Sequence, residues 1–329
     1  MKTPLRIGII GTSFVSDWLC EAARMSEDCS VSAVYSRDFT HGSAYAKERC
    51  IECCYCEETA FLTSSEIDAV YIASPNIAHY RQALGALECG KHVLCEKPLA
   101  LNAAQAERML QTAQAKKLVL LEAIRPIYDP FLQTLKNSLR KVGRIRRATI
   151  EFCQYSSRYD RFLAGEQVNI FDASLGNAAL LDLGVYCLHL CVALFGMPKT
   201  FTAASSFLPN GTEAAGTILL DYGDQQTTVS YSKVTISVEP SMIQGELGTL
   251  MFDAPNQPSY IKMLYRDHRE EILYQSRTNN MVFELNAFSR LINGGGSTAE
   301  FDAQSLNVMR LMDAARRQTG IQFGEGEML

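Results

Sequence analysis

From Leu5 to Glu122 short apolar runs alternate with segments of helical pattern, and few folds accommodate that alternation. The runs are Leu5 to Ile10, Val31 to Ser36, residues 52–56, Ala69 to Ala73, His92 to Cys95 and Leu118 to Leu121. Between them the pattern predicts helices over 15–25, 40–49, 63–67, 77–89 and 102–115. Strands that are apolar on both faces, joined by helix-length crossovers, assemble into a parallel sheet covered by helices on each side.

After residue 123 the pattern changes. Arg144 to Ser157 alternates like a half-buried strand, Arg158 to Leu175 reads as a loop rich in charges and aromatics, and 178–195 reads as an apolar helix. From Lys199 to Ser276 strand follows strand, with turns at Tyr222-Gly223-Asp224 and Gly245 to Gly248, and helices at 280–292 and 302–318 close the chain. A meander of this kind forms a mostly antiparallel sheet. The expectation is therefore an α/β domain over 1–123 and an α+β domain with an open, mostly antiparallel sheet over 124–329.

Of the 329 residues, 47% are hydrophobic and 20% charged, as expected for a globular chain long enough for two domains. A net charge of −5 and a pI near 5.7 argue against nucleic acid or an anionic membrane as a partner. The first strand has neither the flanks nor the length of a signal peptide, and no apolar run is expected to reach the roughly 18 residues that cross a bilayer. The expected location is the cytoplasm, where the 11 cysteines remain thiols. Cys50, Cys53, Cys54 and Cys56 include a Cys-x-x-Cys spacing, but the second ligand pair of a structural zinc site is missing, so no metal is assigned.

Three stretches carry chemistry. Gly11 sits between the first strand and the first helix, the context of a dinucleotide-binding (Rossmann) glycine turn. Aligning that fingerprint on Gly11 places Ser13 and Ser16 where the second and third glycines would be, leaving helix amides and a hydroxyl to serve phosphates. The second strand ends Tyr35-Ser36-Arg37-Asp38, where an NAD-binding chain carries a ribose-reading acid. A serine and an arginine there suit the 2′-phosphate of NADP, with NAD still open, because Asp38 can read the 2′-OH or pair with Arg37. The fifth strand ends Cys95-Glu96-Lys97-Pro98, and the proline presets the backbone that aims Lys97 at the carboxyl edge of the sheet.

Glu96-Lys97-Pro98, preceded by Ser74-Pro75-Asn76 and followed by Glu122-Ala123, resembles the Gfo/Idh/MocA oxidoreductases. Leu181-Asp182-Leu183-Gly184-Val185-Tyr186 is similar to that family's Asp-x-Gly-x-(His or Tyr) helix, and Gly245 to Leu250 to its sheet turn. With tyrosine at 186, the chain resembles the glucose–fructose oxidoreductase, dihydrodiol dehydrogenase and D-xylose dehydrogenase branch. The resemblance implies Lys97 and Tyr186 at the hydride-transfer site with Asp182 beside them. It implies a cofactor held by Gly11, Ser13, Phe14, Val15, Ser36, Arg37, Ser74, Asn76, His79, Glu96, Lys97 and Glu122. It departs from the family at Ser13 and at Gly176-Asn177, where a Gly-Gly is expected.

Asp182, Tyr186 and His189 are spaced i, i+4, i+7 and are expected on one helical face. Gly184 within this helix costs about 1 kcal/mol against alanine, and close approach by cofactor or substrate is its expected reason. Oxidising an alcohol needs a base for the hydroxyl proton, and a lysine ammonium about 4 Å from a tyrosine favours tyrosinate by about 4 kcal/mol at an effective dielectric of about 20. Arg158, Tyr186 and His189 are expected to bind a sugar, polyol or diol/carbonyl substrate, with Arg125, Tyr159 and Arg161 as further candidates. His189 reads more readily as a satisfied core histidine than as a third catalyst, and the arginines at least as readily as solvated loop charges. A sheet with one face covered is expected to build a homodimer or higher even oligomer through the second domain. The competing readings are a non-catalytic nucleotide- or sugar-sensing regulator on the same fold, and a zinc- or redox-responsive protein using Cys50 to Cys56.

Overall fold

The computed structural model describes residues 4–323. Its first half runs β1 (Leu5–Ile10), α1 (Phe14–Met25), β2 (Cys29–Tyr35), α2 (Phe39–Arg49), β3 (Cys53–Tyr55), α3 (Glu58–Thr63), β4 (Ala69–Ile72), α4 (Asn76–Glu88), β5 (His92–Glu96), α5 (Ala103–Lys116) and β6 (Leu120–Ala123). The six strands form one sheet in the order β3-β2-β1-β4-β5-β6, every pair parallel. All four residues of β4 are buried, as a central strand covered on both faces requires. One helix differs from expectation: α3 lies at Glu58–Thr63, not 63–67. Ser64 ends it in extended backbone, and its hydroxyl accepts from the Glu66 amide, which turns the chain toward β4.

The second half runs α6 (Pro130–Ser138), β7 (Ile145–Cys153), α7 (Tyr159–Leu163), α8 (Val185–Phe195), β8 (Thr200–Phe207), β9 (Glu213–Asp221), β10 (Gln226–Ser232), β11 (Ser241–Gly245), β12 (Gly248–Phe252), β13 (Tyr260–Tyr265), β14 (Glu270–Gln275), α9 (Met281–Ile292) and α10 (Ala299–Thr319). Its eight strands are ordered β14-β13-β12-β11-β7-β10-β9-β8; only β7 with β10 is parallel. Helix α8 packs on β7 and β10, and α6 on β14.

Two expectations are corrected. The chain forms two compact units, and Asn279–Leu306 belongs to the first with the segment up to Ala123; the second holds Ile124–Thr278 and the chain from Asn307 on. The reason is local packing: α9 lies on α1 and β2, where Ser26 donates to Asn286 (2.7 Å) and Asn279 to the Trp18 carbonyl (3.0 Å). Second, Ala173–Phe195 is long and apolar enough to cross a bilayer by length and composition, and an 18-residue window within it has a mean hydropathy of 2.0. Of that window 78% is buried, so its apolar surface is already used in the fold.

Candidate functional site

In the first unit the carboxyl ends of β1, β2, β4 and β5 carry the predicted cofactor residues. Gly11 has φ +104°, and a Cβ there would lie 2.6 Å from the Ala73 carbonyl oxygen, so the turn after β1 requires glycine. Ser13 precedes α1 without capping it through its side chain, while Phe14 (exposed) and Val15 open the helix. Ser16, at the third fingerprint position, is buried and donates to the Gly11 carbonyl (2.9 Å), bracing the turn from inside the helix. The first amides of α1 and the tight Gly11 turn fit the phosphates of a dinucleotide.

At the end of β2, Arg37 is exposed and Ser36 half-buried. Asp38 caps α2 through Oδ1, accepting from the His41 amide at 3.1 Å, a role not considered for it from sequence. The His41 ring meets the Thr12 hydroxyl at 2.9 Å, tying the turn after β1 to the start of α2, a link that sequence reading missed. Gly42 lets α2 close on strand ends, since a Cβ there would meet Ser36 at 2.7 Å and the Cys54 sulfur at 3.0 Å. Among the described residues no three His, Cys, Asp or Glu side chains form a metal-holding group.

The stretch from Glu96 to Leu99 is gripped by buried polar groups. Tyr71 donates to Glu96 Oε1 (2.5 Å), and Glu96 Oε2 accepts from the Lys97 amide (3.3 Å). The Leu99 amide donates to Glu122 Oε1 (3.0 Å). His79, fully buried, faces the Pro98 carbonyl through Nδ1 (2.9 Å) and the Ser74 carbonyl through Nε2 (3.0 Å). Burial pushes its imidazole below the ordinary value, against the two carbonyls that favour the cation. Ser74 in turn donates to Gln82 (2.6 Å), next to Asn76 at the start of α4. Thus Glu96, Glu122 and His79, expected as cofactor contacts, are engaged in fixing the loop that presents half-buried Lys97 through a cis Lys97–Pro98 peptide. Tyr71 and Gln82 carried no sequence signal, because each reads as strand or helix filler.

In the second unit the predicted helix is two segments: Leu180–Gly184 is π-helical and α8 continues it. Such wide turns concentrate at functional sites. Asp182 keeps 27% of its side chain exposed, Tyr186 is 4% exposed and packs edge-on against Phe152, and His189 is wholly buried. Gly184 has a reason within the fold itself, since a Cβ there would sit 2.9 Å from the Tyr231 ring. The start of the helix is held by Glu213, which accepts from the Leu180 amide (2.8 Å), Ser205 (2.6 Å) and Tyr231 (3.0 Å). Burial raises the Glu213 carboxyl, opposed by these donors and by Lys233.

The departure at Gly176-Asn177 has a local account. Gly176 adopts the left-handed backbone (φ 78°), and the Asn177 side chain donates through Nδ2 to the Asn169 and Asp172 carbonyls (2.6 and 3.2 Å), clamping the preceding loop. In that loop Tyr159 joins Tyr155, Phe162 and Phe171 in one aromatic cluster. Arg125 is buried, Arg158 is exposed, and Arg161 is engaged with Glu166 at 2.6 Å.

Residues 5–123 match the oxidoreductase family with NAD-binding Rossmann fold (Gfo/Idh/MocA), and residues 133–251 match the Gfo/Idh/MocA C-terminal domain. The chain is 38% identical to scyllo-inositol 2-dehydrogenase (NADP(+)) IolU of Bacillus subtilis (strain 168), covering 97% of this chain and 98% of that protein. It is 37% identical to the oxidoreductase YgjR of Escherichia coli (strain K12), over 97% and 98% of the two chains. The fold is similar to that of the 3-ketoreductase KijD10 of Actinomadura kijaniata, solved with NADP and TDP-benzene, with a TM-score of 0.87 at 23% identity over 96% of this chain and 98% of that one. With a glycine turn, a braced Glu96-Lys97-Pro98 loop and a matching second domain, the chain belongs to the Gfo/Idh/MocA family and is an NAD(P)-dependent oxidoreductase.

Proposed function

We propose that this oxidoreductase prefers NADP(H) and acts on a polyol, sugar or related diol, with Lys97 and Tyr186 as its acid–base pair and Asp182 beside them. One observation carries the cofactor preference: the acid at the end of β2 is committed to capping α2, which leaves Ser36 and the exposed Arg37 to meet a 2′-phosphate. The NADP(+) specificity in the name of the Bacillus subtilis relative, and its cyclic polyol substrate, support the same reading. Gly11, the first turn of α1, Ser36, Arg37 and Asn76 would hold the cofactor, which when bound supplies or accepts the hydride. In the oxidative direction Tyr186 acts as the phenolate: its oxygen takes the proton of the substrate alcohol and becomes the hydroxyl as the hydride leaves, while the Lys97 ammonium balances the phenolate's charge and donates to the substrate oxygen. The aromatic cluster around Tyr159 offers a face against which the apolar side of a sugar ring stacks.

Arg37→Ala is expected to erase most of the preference for NADP(H) over NAD(H). A charge-assisted hydrogen bond contributes about 1.5–3 kcal/mol, hence a loss of about tenfold or more in NADP(H) affinity with little change for NAD(H). Cofactor fluorescence titrations check this, and equal affinity of the wild type for both cofactors would remove the proposal. A screen of polyols, aldoses and dicarbonyls followed at the absorbance of the reduced nicotinamide tests the substrate class.

We further propose a cytoplasmic homodimer or higher even oligomer assembled through the sheet of the second unit. Alternate residues of its strands remain exposed, Leu219 at 43% and Ile272 at 51% among them, which supports a surface awaiting a partner. Light scattering at micromolar concentration is expected to give an even multiple of 36.5 kDa; a monomeric mass would exclude it.

A further inference from the structure

Lys233 stands where a charge is least expected. It follows β10, its side chain is 2% exposed, and its ammonium lies 3.1 Å from Asp182 Oδ2. It also donates to the Ile170 carbonyl at 2.9 Å and lies over the Phe171 ring, 5.4 Å from its centre. The backbone around it is fixed as well: its amide donates to the Ala214 carbonyl, and its carbonyl accepts from the Ser156 amide, each at 2.8–2.9 Å. Lysine is almost never buried to this degree, and a buried ion pair is no better for stability than apolar residues of the same volume. A sheet end and one loop carbonyl would need no ammonium.

Asp182 accounts for it. The carboxylate meets the buried ammonium at Oδ2, yet more than a quarter of the side chain remains exposed, four residues before Tyr186. One end of the carboxylate is thus anchored while the group still reaches the surface. We propose that Lys233 is a positioning residue that holds Asp182 so that its carboxylate accepts a hydrogen bond from a second substrate hydroxyl, next to the carbon that exchanges hydride. The inference rests on the polyol reading above and deepens it: the enzyme selects vicinal diols over simple alcohols, and Lys233 sets the selection. A purely structural role predicts something else, since loosening the loop at Ile170 and Phe171 would depress all substrates alike.

The test compares kcat/KM for a vicinal diol that the wild type oxidises with kcat/KM for the matching mono-alcohol. Lys233→Met is expected to lower the diol value at least about 30-fold and the mono-alcohol value less than about threefold, collapsing the ratio. NADP(H) affinity should stay within about twofold. Asp182→Asn should lower the diol value at least as far, and the Lys233→Met/Asp182→Asn double variant should be no worse than Asp182→Asn on the diol. Lys233→Arg, which keeps the charge, should recover part of the ratio. If Lys233→Met does not fold, Lys233→Gln carries the measurement, because it keeps a donor for the Ile170 carbonyl and removes only the charge. Equal losses on both substrates, or an unchanged ratio, would overturn the role of Lys233 while leaving the polyol reading intact. A wild type that oxidises neither substrate class would overturn the polyol reading, and this inference with it.

Discussion

Lys97→Ala and Tyr186→Phe are each expected to lower turnover by about 10²–10⁴-fold, the range of a positioned proton-transfer group. The loop carrying Lys97 is held by Glu96, Glu122 and His79 through hydrogen bonds of 2.9–3.3 Å. That restraint lowers the cost of presenting the ammonium in one orientation, so its loss should appear in kcat more than in KM. The Lys97→Ala/Tyr186→Phe double variant should lose little beyond the worse single, because groups that act as one unit are non-additive. NADP(H) binding in Tyr186→Phe should be nearly unchanged. Stopped-flow and steady-state rates of the three variants decide the matter. If the two losses multiply, or if Tyr186→Phe keeps near-normal turnover, Tyr186 is a packing residue against Phe152 and the acid–base assignment fails.

Gly11→Ala is expected to weaken NADP(H) binding roughly 10²-fold and to lower the melting temperature. The left-handed φ of +104° costs an alanine about 1–3 kcal/mol, and a Cβ 2.6 Å from the Ala73 carbonyl adds an overpacking cost of about 1–3 kcal/mol. Relief comes from shifting the turn after β1, whose carbonyl also receives the Ser16 hydroxyl. Gly90→Ala is the control, since Gly90 has φ +77° with nothing within 4 Å of the added Cβ. It should cost stability and leave cofactor affinity unchanged. Equal effects of the two on NADP(H) titrations would show that backbone strain alone, not crowding at the turn, explains Gly11.

The Rossmann half could be read from sequence because its signals are local. Each strand is a short apolar run between helical patterns, so its boundaries fell within a few residues. What escaped reading depends on partners distant in sequence. The glycine at 184 answers to Tyr231, the asparagine at 177 to carbonyls at 169 and 172, and the charge on Lys233 to Asp182. A lysine after an alternating strand looks like a solvated turn until the helix packed over it is known. Helix α6 was missed for another reason: Asp129-Pro130 is a cap followed by proline at the first helical position, with Asp129 accepting from Phe131, but the run after it is short. The roles of Glu96, Glu122 and His79 as braces follow from geometry that no spacing rule encodes.

The return of Asn279–Leu306 to the first unit bears on how the protein is made. Synthesis of all six strands of the first sheet is complete at Ala123, yet the helix that covers α1 and β2 is not synthesised until the chain passes Ile292. At about 5–20 residues per second that leaves the α1 surface bare for roughly ten seconds or longer. During that interval the second unit's sheet emerges and completes before the first is closed. The nascent chain therefore finishes its later-born unit's sheet ahead of its earlier-born unit, and a fragment ending at Ala123 would carry the nucleotide turn but lack the cover for its own helix.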